Sequence, residues 1–110
     1  MDKLNKYRTI IKKFLTEQAQ GNSLDEDIET EIVFDRERER YLLIDLGWQK
    51  HQRIYNCVIH LEIRNEKIWI QRNQTDLPIS GRLIAEGVPP QDIVLGLQPA
   101  YVREYTGLGV

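Results

Sequence analysis

Between Tyr41 and Gln71 the sequence places a phenol, an imidazole, a carboxylate, an indole and an amide on what read as neighbouring strands. With two-residue turns between those strands, Tyr41, His60 and Gln71 fall in one row, and Glu62 faces Trp69. Such a row can bind a ligand or a loop of another protein. Acid–base catalysis would also need a concave pocket on which Tyr41, His60 and Glu62 converge. The same pattern fits a solvent face, or a polar seam under a second element. All three readings stay open at this point.

Other chemistry is excluded by spacing. Asp45 with Glu62-Ile63-Arg64 weakly imitates the carboxylate pattern of metal-dependent nucleases. Asp45 pairs opposite Asn56, however, which leaves Glu62 roughly 20 Å away along the strand at about 3.3 Å per residue. Two carboxylates that share a metal must lie within a few ångströms. Arg64 also lacks the adjustable pKa of a lysine. His51, Cys57 and His60 have no zinc spacing. Cys57 is expected in the apolar face as a small inert hydrophobe. The seven glycines are scattered and form no phosphate-cradling loop. No catalytic residue, metal or cofactor is assigned.

The elements that must position this row follow from periodicity. Leu4, Tyr7, Ile10, Ile11, Phe14 and Leu15 have the spacing of one helix face, so an amphipathic helix is predicted over about residues 3–19, stopped at Gly21-Asn22. Ile28, Thr30, Ile32 and Phe34 alternate with acids as a half-buried strand. "DRERER" is a charged turn. "YLLIDLGW" and "RIYNCVIHLEI" are longer strands, and "KIWIQR" is the last. Short connections make an antiparallel meander.

With Lys50-His51 at the turn centre, Leu42, Ile44, Leu46 and Trp48 share a face with Arg53, Tyr55, Cys57, Ile59, Leu61 and Ile63. A turn at Asn65-Glu66 adds Ile68 and Ile70. This face is the expected core, covered by the helix. The opposite face then holds Tyr41, Leu43, Asp45, Asn56, Val58, His60, Glu62, Trp69 and Gln71. Thr75 or Asp76 caps a second helix with Pro78 in its first turn, inner residues Ile79, Leu83 and Ile84, and its end at Gly87. "PPQDIVLG" reads as a further short turn of helix, and the rest is a tail. Its Tyr101, Val102, Tyr105 and Leu108 either pack back or serve as an interface.

The fold class is therefore α+β. An N-terminal amphipathic helix packs on a four-stranded antiparallel meander, followed by short C-terminal helices and a tail, in one domain over residues 1–110. Composition agrees, with 41% hydrophobic and 29% charged residues. A net charge of −2 does not suit a protein that tracks phosphates over a wide surface. Basic residues do gather on the first helix, at Lys3, Lys6, Arg8, Lys12 and Lys13, with Asp25, Glu26, Asp27, Glu29 and Glu31 as an acidic counterpart. That is either a solvated helix or a patch for DNA or an acidic partner. One cysteine forms no internal disulfide, and there is no apolar run for a signal peptide or membrane span. The expected compartment is the cytoplasm.

"KIWIQRNQTD" (67–76), "GVPPQDIVLG" (87–96) and Pro99 to Thr106 resemble the XisI-like family, the fdxN element excision controlling factors of cyanobacteria. The upstream "YLLIDLGW" and the overall length fit as well. Asn65-Glu66 stands where a glycine-containing turn is common, Pro90 where a lysine often is, and the final Gly-Leu-Gly-Val departs from an acidic-aromatic ending. The resemblance implies a regulatory protein without a catalytic site. It would control excision of a DNA element during heterocyst differentiation, with a recombinase and an XisH-like partner, or act as antitoxin of an XisH-like nuclease. Contact with DNA would be indirect, and assembly with further copies of itself is open. The expected partner surface is Tyr41, His60, Glu62, Trp69 and Gln71, with Arg103 and Tyr105 from the tail. The alternative is a DNA-binding accessory protein that uses the basic helix.

Overall fold

A computed structural model describes residues 2–21 and 27–110. Helix α1 spans Lys3–Gly21. Asp2 caps it, its Oδ1 accepting the Asn5 N–H at 2.8 Å, which satisfies one of the helix's orphan donors. Tyr7, Ile10, Ile11, Phe14 and Leu15 are all buried, as their spacing predicts. Asn22, part of the expected stop, lies outside the described residues.

Strands β1 (Ile28–Asp35), β2 (Arg40–Gln49), β3 (Gln52–Arg64) and β4 (Lys67–Asn73) form the antiparallel meander. Gln49 pairs with Gln52 across the first long hairpin, as expected. Asn65 and Glu66 close the next one with φ of 51° and 61°, the positive pair of a type I′ turn. Gly47 lets β1 begin close to β2: a Cβ there would lie 2.0 Å from the Asp27 carbonyl oxygen.

The sheet has five strands, not four. After α2 (Ile79–Ala85) and a short 3₁₀ turn at Pro90–Asp92, β5 (Ile93–Leu95) runs parallel to β4, with Ile68 opposite Ile93 and Ile70 opposite Leu95. The expected turn of helix through "DIVLG" is thus a strand. Three consecutive apolar residues suit a strand covered on both faces, and Ile93 and Val94 are fully buried. α2 supplies the crossover that a parallel pair needs. It begins at Ile79 after Pro78, with no side-chain cap. Thr75 instead builds the preceding turn, receiving the Leu77 N–H and donating its own N–H to Asn73. Ile84 is exposed rather than part of the inner face. Helix α3 (Ala100–Arg103) and the residues after it return to the sheet, where Gly109 bridges to Val94.

Two β-bulges overturn the expected faces. Leu43 pairs with Ile59 and Ile44 with Cys57, which leaves Val58 as an extra residue in β3. His60 pairs with Arg72 and Leu61 with Ile70, so Gln71 is extra in β4. Past Val58, Ile59, Leu61 and Ile63 therefore join Tyr41 and Leu43, not Leu42 and Ile44. The helix-covered core holds Tyr41, Leu43, Ile59, Leu61, Ile63, Ile68, Ile70 and Ile93 with Leu83 and Val88. Leu42, Ile44, Leu46, Trp48, Tyr55 and Cys57 belong to the second face, which α1 does not cover. Cys57 is accordingly outside the core where the sequence pattern puts it, and burial still raises its thiol pKa against the opposing charge of Arg72.

Two tyrosine–carboxylate pairs tie α1 down. Tyr7 donates to Asp92 Oδ2 at 2.5 Å, and Lys3 pairs with the same oxygen at 2.9 Å. Tyr41 donates to Glu39 Oε2 at 2.5 Å, and Arg8 Nε reaches Glu39 Oε1 at 2.7 Å. Burial alone would raise the pKa of Glu39 and Asp92, but these bonds and charges outweigh it and leave both below the usual carboxylate range. Burial and the same carboxylates raise both phenols well above 10.0.

Candidate functional site

His60, Glu62, Trp69 and Gln71 do meet on the second sheet face. Glu62 lies directly between Arg40 on β2 and Trp69 on β4. Among the described residues it is the one buried charged side chain, 4% exposed. Its carboxylate is surrounded by donors. Arg64 Nε donates to Oε1 at 2.6 Å and His60 Nε2 to Oε2 at 2.9 Å. Arg40 Nε stands 3.2 Å from Oε2, and Gln71 Nε2 reaches Oε1 at 3.5 Å. Burial opposes the charge of Glu62, yet the His60 bond and the charges of Arg40 and Arg64 hold its pKa below the ordinary value.

Trp69 is half-buried next to this carboxylate. The Arg64 guanidinium stands 5.7 Å and the Arg103 guanidinium 5.1 Å from its ring, within cation–π range. Its indole Nε1 is buried with no hydrogen-bond partner. Arg103 is fixed in turn, its Nε donating to the carbonyls of Gln98 at 3.0 Å and Leu95 at 3.2 Å. Gly96 admits the tail here, since a Cβ would approach Gln71 Oε1 to 2.5 Å and Trp69 Cε3 to 3.1 Å. In the tail that carries Arg103, Tyr101 and Tyr105 are 75% and 85% exposed. The two tail tyrosines therefore do not pack back.

Tyr41 is not part of the surface. The bulge at Val58 sets it opposite Leu61 rather than His60, and it is fully buried under α1. The row Tyr41, His60, Gln71 does not form, and Tyr41, His60 and Glu62 do not converge on one pocket. Arg40 and Arg64 are the residues that sequence reasoning missed as partners of Glu62. Arg64 had a readable signal, because a cation two residues along a strand shares the carboxylate's face. Among the described residues no group of three or more His, Cys, Asp or Glu side chains stands ready to hold a metal ion. No described helix is long and apolar enough to cross a membrane.

The basic helix spends much of its charge internally. Besides Lys3 and Arg8, Lys13 pairs with Glu86 at 3.2 Å, and Lys6 Nζ donates to the Gly87 carbonyl at 3.4 Å. Lys12 stands over the Phe34 ring at 5.5 Å. The acids that answer the helix are thus Glu39, Glu86 and Asp92. Glu29 and Glu31 point to the second face, away from α1, and Asp25 and Glu26 lie outside the described residues.

Comparison with known proteins agrees with this architecture. A family model described as XisI protein matches residues 1–110. A XisI-like protein from Anabaena variabilis is 47% identical, with 97% of this chain and 98% of that chain covered and a TM-score of 0.94. The fdxN element excision controlling factor XisI from the same organism is 31% identical, with 98% of each chain covered and a TM-score of 0.85. No curated protein sequence matches. The chain belongs to the XisI family.

Proposed function

We propose that this XisI-family chain is a non-enzymatic regulatory factor that works by binding another protein. In this reading it controls programmed excision of a DNA element alongside a recombinase, with an XisH-like protein as its direct partner. Restraint of an XisH-like nuclease, as its antitoxin, is the second form the same pairing can take. The protein acts in the cytoplasm as one domain, and its contact with DNA is indirect. Support comes from the family and from the likeness to a protein described as an excision controlling factor.

The observation that carries the reading is the ordered platform around Trp69. A buried carboxylate holds Arg40, Arg64 and His60 in place, and Arg64 and Arg103 flank the indole. Tyr101 and Tyr105, in the tail segment that carries Arg103, are exposed. Tyrosine, tryptophan and arginine on a rigid support are the residues that dominate binding energy at protein interfaces. The test is co-expression with the product of an adjacent XisH-like gene, followed by size exclusion with light scattering. A co-eluting complex that Tyr105→Ala weakens at least tenfold supports the reading, whereas separate elution of two folded proteins refutes it. The DNA-binding alternative fits less well with helix cations already paired to Glu39, Glu86 and Asp92. It requires an affinity for duplex DNA that falls steeply between low and physiological salt.

A further inference from the structure

We infer that the bare half of the second sheet face is a dimer interface, and that its occupant is a second copy of this chain packed face to face about a two-fold axis. The inference does not depend on the partner reading and is tested on the protein alone.

The bulge at Val58 divides the sheet into two halves of opposite polarity. Toward β4 and β5 the apolar side chains of β3 point to α1, and the tail lies over Trp69 on the other side. Toward the β2–β3 hairpin the apolar side chains point the other way. There Leu42, Ile44, Leu46 and Cys57 are half-buried, while Val33, Trp48 and Tyr55 are 41%, 52% and 64% exposed. The reverse side of this half is mixed, with Thr30, Asp45 and Asn56 in one row and Ile28 and Ile54 flanking Gly47 in the next. Among the described elements nothing lies over the apolar side.

Charge chooses the occupant. The apolar stripe is bounded on β1 by Glu29 and Glu31, and on the β3–β4 side by Arg53 and Arg72. A two-fold axis along β2 sets β1 of each copy over β3 of the other. Each acidic border then meets a basic border, with apolar side chains between, so the surface is complementary to itself. Joining two copies edge to edge through β1 is disfavoured. β1 reads IETEIVFD, with three acids and no base, and antiparallel self-pairing would set acid near acid.

The area is sufficient. Aromatic side chains of about 150–250 Å² leave roughly 100 Å² open at each of Trp48 and Tyr55. With the aliphatic stripe and the four charged borders, the surface is on the order of 600 Å² per copy, the lower end of stable dimer interfaces.

The test is light scattering and sedimentation of the purified chain from about 5 to 100 µM, a range suited to an interface of this size. The expected mass at the upper end is twice the 13.0 kDa of the chain. Tyr55→Arg and Trp48→Glu, at positions more than half exposed, should each keep the wild-type circular dichroism and weaken the dimer by at least about 30-fold. Should either misfold, a charge exchange between exposed residues decides. Glu31→Arg weakens the dimer, and adding Arg72→Glu restores it. A monomer at the highest concentration overturns the inference. So does a dimer that folded Tyr55→Arg and Trp48→Glu both leave intact, or that Glu31→Arg leaves unchanged.

Discussion

The Glu62 cluster sets up an asymmetry that stability measurements can resolve. The carboxylate is buried, but the side chains of its cations Arg40 and Arg64 are 40% and 48% exposed. Glu62→Gln keeps the shape and removes the charge. The arginines then return to water, so the loss is limited to charge-assisted bonds already screened by solvent, about 1–2 kcal/mol. Removing the cations instead, with Arg40→Ala and Arg64→Ala together, strands a buried carboxylate with only His60 and Gln71. That should cost about 3–5 kcal/mol at neutral pH, the range for breaking a buried pair from the charged side. Chemical denaturation followed by circular dichroism measures both, with about 4 °C or more of melting temperature expected per kcal/mol.

The pH profile supplies the sign. In the wild type the folded pKa of Glu62 is depressed. Its contribution is therefore present above the unfolded carboxylate value and lost as pH falls through the folded one. In the double-arginine variant desolvation prevails, the folded pKa rises, and stability is instead lost as pH climbs above the unfolded value. Glu39 and Asp92 are common to both proteins, so the difference between the two profiles reports the Glu62 cluster as a whole. Parallel profiles, or a greater cost for Glu62→Gln than for the arginine pair, would refute this account.

Other outcomes follow from single positions. Trp69→Ala, by unseating Arg103, should free the tail, seen as faster amide exchange over residues 96–110; unchanged exchange would remove Trp69 as the anchor. Glu66→Gly should stabilise the fold by up to about 1 kcal/mol, because Glu66 holds φ 61° in a region that costs an L-residue about 1–2 kcal/mol. A lower melting temperature would count against that. Cys57, whose thiol pKa burial raises, should react with a disulfide reagent more slowly than free cysteine at pH 8, and faster as pH climbs. A rate at or above that of free cysteine would contradict the burial argument.

The helix and the meander were legible because their signals are periodic. Tyr7 to Leu15 mark one stripe, and the turns at Lys50-His51 and Asn65-Glu66 set their hairpins. The reversal of the sheet faces traces to two residues. Alternation carries no mark for a bulge, so the pattern treats Val58 and Gln71 as ordinary strand positions and puts Tyr41 on the candidate surface instead of in the core. Ile93-Val94-Leu95 was missed for another reason. Three apolar residues can be helix or strand, and the parallel pairing with β4 that decides it lies outside any local window. Glu62 and Trp69 keep their place because they pair directly across the β3–β4 hairpin, close to its turn.

The arrangement of Trp69 has a bearing on synthesis. The chain emerges from its amino end, and the helix and four meander strands can pair while later residues are still being added. The indole is made on β4, but Arg103, which pins it, comes from α3, and Gly96 and Gly109 seat the intervening chain only after β5 has docked. A nascent molecule thus has its helix and meander, without the Leu83, Val88 and Ile93 part of the core, before it has its aromatic platform. Ribosome-bound or prematurely terminated chains that stop before α3 would therefore carry the Trp69 indole without the Arg103 guanidinium that stands over its ring.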